Sequence, residues 1–195
     1  MKAWKMSALS RGTCIAAAVL LSCGWALSQA RRDPLTQAEV DQVRDASWEP
    51  KQRLTLYVQF ARNRLVKLEQ MRNDPKSKDR AQQTHDLLDD FQLLYDELND
   101  NIDTYVDRKD DIRKPLKLII AADTEFQAKL RALKEAADVP RAESSVYEFV
   151  LSNALDTVDT SADDHRNLLE DQEELAKHKK LNNNSSASSN GRPGY

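Results

Sequence analysis

The chain has 195 residues, enough for one domain with a sizeable core, and its 40% apolar and 31% charged shares suit a water-exposed globular fold rather than a membrane-embedded one. Charge is unevenly spread: the first thirty residues hold Lys2, Lys5 and Arg11 and no acid, leaving 26 Lys and Arg against 32 acids, about −6, for the rest. Clustered cations supply most nucleic-acid affinity, so no nucleic acid is expected as a partner.

The first element reads as a secretory signal. A basic stretch runs from Met1 to Arg11, an apolar run from Cys14 to Leu27, and Ser28-Gln29-Ala30 places small residues where a signal peptidase needs them. The apolar run is short for a membrane span. Cleavage after Ala30 is expected, with export from a bacterial cytoplasm to the periplasm or beyond. A competing processing site is Val19-Leu20-Leu21-Ser22-Cys23, which resembles a lipobox. Lipidation at Cys23 would tether the chain to the envelope membrane, and membrane contact is expected only in that case. Both cysteines, Cys14 and Cys23, lie in this segment, so no thiol, disulfide or cysteine metal ligand follows Ala30.

Residues 31–180 carry helical periodicity throughout. No glycine occurs between Gly24 and Gly191, which disfavours tight hairpin turns and leaves nothing to build a phosphate-cradling loop or a nucleophile elbow. Prolines 34, 50, 75, 115 and 140 punctuate the region instead, each suited to a first helical turn. A short helix is expected over 36–46, starting at a capping box, Thr36-Gln37-Ala38-Glu39, with Val40 and Val43 inward. The second, over 50–73, repeats Leu54, Val58, Ala61, Leu65 and Leu68 and adds Leu56, Phe60 and Met71, an arc wide enough for two partner helices. The third has the clearest seam: Leu88, Phe91, Tyr95, Leu98, Ile102, Tyr105, Lys109 and Ile112. A fourth, over 115–137, aligns Leu116, Ile119, Ile120, Phe126, Leu130 and Leu133; Pro115 either breaks the chain there or kinks one long helix. The fifth starts at a second capping box, Ser145-Val146-Tyr147-Glu148, and runs to Lys180 through Tyr147, Leu151, Ala154, Val158, Ser161, His165, Leu168, Gln172 and Leu175. Residues 181–195 are rich in Asn and Ser and are expected to be a disordered tail.

The predicted fold is all-α: an elongated antiparallel helical bundle of four to five helices, with 1–30 a signal peptide, 31–180 the bundle and 181–195 the tail. The proline spacing suggests two related helical hairpins side by side. Pro34-Leu35-Thr36-Gln37-Ala38-Glu39-Val40 resembles the Leu-Thr-x-x-Gln stretches of periplasmic helical stress adaptors and chaperones of the CpxP/Spy type, with Glu39 where that pattern has Gln. The resemblance implies a small exported helical protein and transfers no functional residue.

Candidates for chemistry are few. A di-metal centre in a bundle needs Glu-x-x-His pairs, but Gln82, Ala162 and Leu175 precede His85, His165 and His178 by three positions. The doublets Asp89-Asp90, Asp110-Asp111 and Asp163-Asp164 read as solvated helix faces, and Lys177-His178-Lys179-Lys180 as cations complementing a helix C-terminus. His165 alone among the histidines sits on a seam, where it, with Lys109, Ser161 and Gln172, is expected to fix register. No catalytic, cofactor-binding or metal residue is assigned and no cofactor is expected. The expected function is non-catalytic, through contact with a protein partner or a second copy, since Leu56, Phe60, Leu93 and Phe149 are apolar positions a small bundle need not cover. The alternative is a small-ligand or metal carrier, or stress adaptor of the periplasm, using the interior near His165.

Overall fold

The computed structural model describes residues 33–136 and 139–189, with side chains followed as far as Leu181. The segment read as a signal, with the expected cleavage site after Ala30 and the alternative at Cys23, and residues 190–195 lie outside the described residues. The chain divides into Met1–Asp33 and Pro34–Tyr195, and the second unit is the one described here. It holds five helices: α1 (Gln37–Asp45), α2 (Pro50–Asn73), α3 (Arg80–Asp107), α4 (Arg113–Lys134) and α5 (Arg141–Ser189). No strand occurs among the described residues.

Cross-helix bonds fix the topology. α2 and α3 are antiparallel, with Arg64 near Asp90 and Arg72 bonded to Thr84. α4 and α5 are antiparallel too, through Lys117–Glu173 and Arg131–Asp159. Between the hairpins the sense is parallel. Arg62 meets Glu125 and Glu69 meets Lys129, while Asn99 meets Ser161 and Asp110 meets Gln172, at sequence separations of 63, 60, 62 and 62 residues. Two hairpins thus stack side by side in near-constant register, as in helical-hairpin repeats. One layer is α2 beside α4; the other is α3 beside α5. Among the described residues the diagonal pairs α3/α4 and α2/α5 do not pack along their lengths.

The core lies between these layers, because the heptad-like seams of all four long helices point inward. Leu54, Phe91, Leu98, Leu116, Ile119, Phe126 and Leu130 are buried there. Each such side chain contributes about 1.5–3 kcal/mol by leaving water. Phe91 stacks near Tyr95 at 5.9 Å and meets Phe126 edge-on at 5.3 Å, the offset and perpendicular arrangements that ring quadrupoles favour. The wide apolar arc of α2 serves α3 and α4 and also receives α1. Of the four apolar positions expected to be left open, Phe60 is buried, Leu56 is half-buried against the core, Leu93 is half-buried, and only Phe149 is largely exposed.

α1 is held by charge as much as by Val43. Its capping box forms as expected: Thr36 Oγ1 accepts from the Glu39 amide, and Glu39 accepts from the Thr36 amide. The same Glu39 carboxylate takes a two-pronged contact from Arg64 of α2 at 2.9 and 2.6 Å, and Arg64 also donates to the Pro34 carbonyl. Burial raises the Glu39 carboxyl, but Arg64 and the Thr36 bonds outweigh it and hold the group below its ordinary value.

Several expectations change. The third helix stops at Asp107, short of Ile112, because Lys109 takes a left-handed conformation (φ 61°). The Lys109 amide donates to the Val106 carbonyl and the Asp110 amide to the Tyr105 carbonyl, the double closure of a Schellman cap with lysine where glycine is usual. Lys109 is therefore an exposed turn residue rather than a seam residue, and Asp110-Asp111 lie in the turn rather than on a helix face. Pro115 sits in the first turn of α4, so the chain breaks there instead of kinking. Ser145 caps nothing. α5 begins directly after Pro140 at Arg141, and the Ser145 hydroxyl bonds the Ala142 carbonyl within the helix. At its other end α5 runs to Ser189, and the Asn- and Ser-rich stretch at the C-terminus still fits the tail expected from the sequence.

Candidate functional site

Three ionisable or hydroxyl side chains meet at the centre of the core, one from each of α3, α4 and α5. Tyr95 Oη donates to Asp123 Oδ1 at 2.7 Å, and His165 Nδ1 lies 2.9 Å from Asp123 Oδ2. Tyr95 and Asp123 are fully buried and His165 is 4% exposed. The phenol is pushed far above its ordinary range by burial and then by the Asp123 charge beside it, so Tyr95 remains a proton donor at any physiological pH.

Local sequence explains the placement. Tyr95 occupies the α3 seam one turn beyond Phe91. Asp123 follows Ile119 by four and precedes Phe126 by three, the inward spacing of α4. His165 lies on the α5 seam one turn beyond Ser161, whose hydroxyl accepts from Asn99 Nδ2 at 3.0 Å. One turn past Leu168, Gln172 uses both ends of its amide on the α3–α4 turn. Its Oε1 accepts from the Ile112 amide at 3.1 Å, and its Nε2 donates to the Asp110 carbonyl at 3.2 Å. Ser161, His165 and Gln172 thus form a polar ladder that fixes α5 against α3, α4 and the turn between them. Asp123 is the member the sequence reading missed. Its signal was an acid at an inward position of an otherwise apolar repeat.

A carboxylate on imidazole Nδ1 is the geometry that orients a general base, but a base needs a nucleophile and a place for substrate. In the network both carboxylate oxygens of Asp123 are engaged, one by Tyr95 and one by His165. A surface groove of about 180 Å³ is lined by Leu65, Leu68, Arg72, Lys129, Leu130 and Leu133 and their neighbours, and touches none of the three. A buried carboxylate bonded to an imidazole and a phenol costs desolvation and returns specificity, since any slip of one helix leaves a buried polar group without its partner. The arrangement keys three helices to a single register.

The remaining sequence candidates do not converge. Asp90 faces Arg64, Asp111 binds Arg113 through backbone and side chain, and Asp163 pairs with Arg166 on its own helix. The Arg113 bond and charge hold the Asp111 carboxyl at about 2. His85 lies near Asp86 on α3, and His178 is exposed on α5. Among the described residues no three His, Cys, Asp or Glu side chains come together as a metal site would require, and no helix is long and apolar enough to cross a membrane. No family model, curated protein or solved structure matches this chain, so the likeness to CpxP/Spy-type proteins rests on Pro34–Val40 alone, where Thr36 and Glu39 serve as a helix cap.

Proposed function

We propose that this is an exported, non-catalytic helical protein of the bacterial cell envelope that works through protein–protein contact. The observation that carries the reading is the use of its polar residues. The buried network and the Gln172 clasp are committed to holding helices, while large apolar side chains remain in water at Phe149 (79% exposed) and Leu175 (69%). Surface of that kind serves association better than chemistry. Export rests on the Met1–Ala30 pattern, with cleavage after Ala30 and lipidation at Cys23 as the two processing routes.

Native mass spectrometry of the protein from its own envelope, with sedimentation of the same sample, tests both parts. A mass beginning at Arg31, found with a partner or as a multiple, is the expected result. A strict monomer that captures no envelope protein would count against the interaction reading, and a chain retaining Met1 against export.

A further inference from the structure

The two layers of the bundle differ in charge. α2 and α4 each carry six Lys or Arg, against one and two acids; α3 carries one Arg against eight acids, and α5 five cations against ten. Much of this charge is accessible. The α2/α4 layer exposes six cations and one acid, Glu69, whereas the α3/α5 layer exposes eleven acids and five cations. One molecule therefore presents a basic side and an acidic side.

Each side also has an apolar feature. Between α2 and α4 lies the groove of about 180 Å³, floored by Leu65, Leu68 and Leu130 with Leu133, Ala132 and Ala136 at its rim. On the opposite layer Phe149 stands 79% exposed with Val146 beside it at 42%. Phe149 lies half a turn away from the inward Tyr147 and Leu151, so it faces away from the core. Arg72, which borders the groove, sits 5.7 Å over the Tyr147 ring and binds Glu143. Knob and groove thus occupy the same end of the bundle on opposite faces.

We propose that the occupant of the α2/α4 groove is a second copy of this chain, docked by its acidic α3/α5 layer with Phe149 seated among Leu65, Leu68, Leu130 and Leu133. This deepens the interaction reading above and rests on it. Because knob and groove share one end, copies stack in parallel without sliding along the bundle. Two helices of this length side by side cover roughly 35 by 20 Å, about 700 Å² per copy, near the roughly 800 Å² of a standard interface. The contact joins unlike faces, so it is heterologous and stays open at both ends of the stack.

Sedimentation velocity over a concentration series, with two surface variants, decides the matter. Phe149→Ser removes the knob, and Ala132→Glu blocks the groove while adding a wrong charge; both positions are exposed, and circular dichroism checks that each variant folds. The wild type is expected to form species that lengthen with concentration and shift toward monomer as salt rises. Each variant alone should be monomeric. Mixed, they should give a one-to-one dimer that does not lengthen, since one supplies the intact groove and the other the intact knob. A wild type that stays monomeric, a closed dimer, or an assembly unchanged by Phe149→Ser would overturn the proposal. A monomer that captures a different envelope protein would overturn it and leave the interaction reading standing.

Discussion

Replacing Asp123 by alanine is the sharpest test of the buried network. The substitution leaves the Tyr95 hydroxyl and the His165 ring without the partner they hold at 2.7 and 2.9 Å, both inside the core. Each orphaned buried group costs about 1–3 kcal/mol, so with two of them a loss of about 2–6 kcal/mol is expected. Tyr95→Phe removes one bond to a charged acceptor and should lose only about 1.5–3 kcal/mol. The decisive comparison is the triple replacement Tyr95→Phe, Asp123→Leu, His165→Leu. It removes all the polar partners together and should recover most of the loss. Urea unfolding gives these values directly if the slope stays constant. An Asp123→Ala loss below about 1 kcal/mol would refute the claim that the carboxylate is committed to Tyr95 and His165. A triple variant as weak as the single one would point to lost packing volume instead of unsatisfied polar groups.

The Lys109 cap predicts a gain: a left-handed backbone costs a residue with a Cβ about 1–2 kcal/mol, so Lys109→Gly should raise the urea midpoint by a stabilisation of about 1 kcal/mol. Gln172→Ala should cost about 1–3 kcal/mol and speed hydrogen exchange at Ile112 before the core exchanges, because the clasp on the α3–α4 turn is lost. For Glu39 the folded carboxyl lies below its ordinary 4.5, so its contribution is complete above that value and disappears as pH falls through the lower folded value. The stability difference between wild type and Glu39→Gln should accordingly shrink below about pH 4.5, while a difference that persists into acid would mean that the Arg64 contact does not depend on the charge.

Sequence alone determined the helical class, the α2 boundaries and the inward faces, because apolar spacing and prolines act locally and burial is the dominant force along each helix. The Thr36–Glu39 box was legible for the same reason: all of its bonds close within four residues. Signals that look alike locally were settled by their surroundings. Ser145-Val146-Tyr147-Glu148 has a cap's residue pattern, yet Pro140 starts the helix earlier and makes it interior. Lys109 has seam spacing, but the chain had to reverse there to bring α4 against α2 and α5, and a left-handed lysine was the cost. Only the tertiary structure brought Tyr95, Asp123 and His165 together. They lie 28 and 42 residues apart, and their pairing depends on two hairpins stacking in one register. The same stacking gathered the cations of α2 and α4 on one layer and the acids of α3 and α5 on the other, since charge per helix is written in the sequence but its side of the molecule is decided by packing.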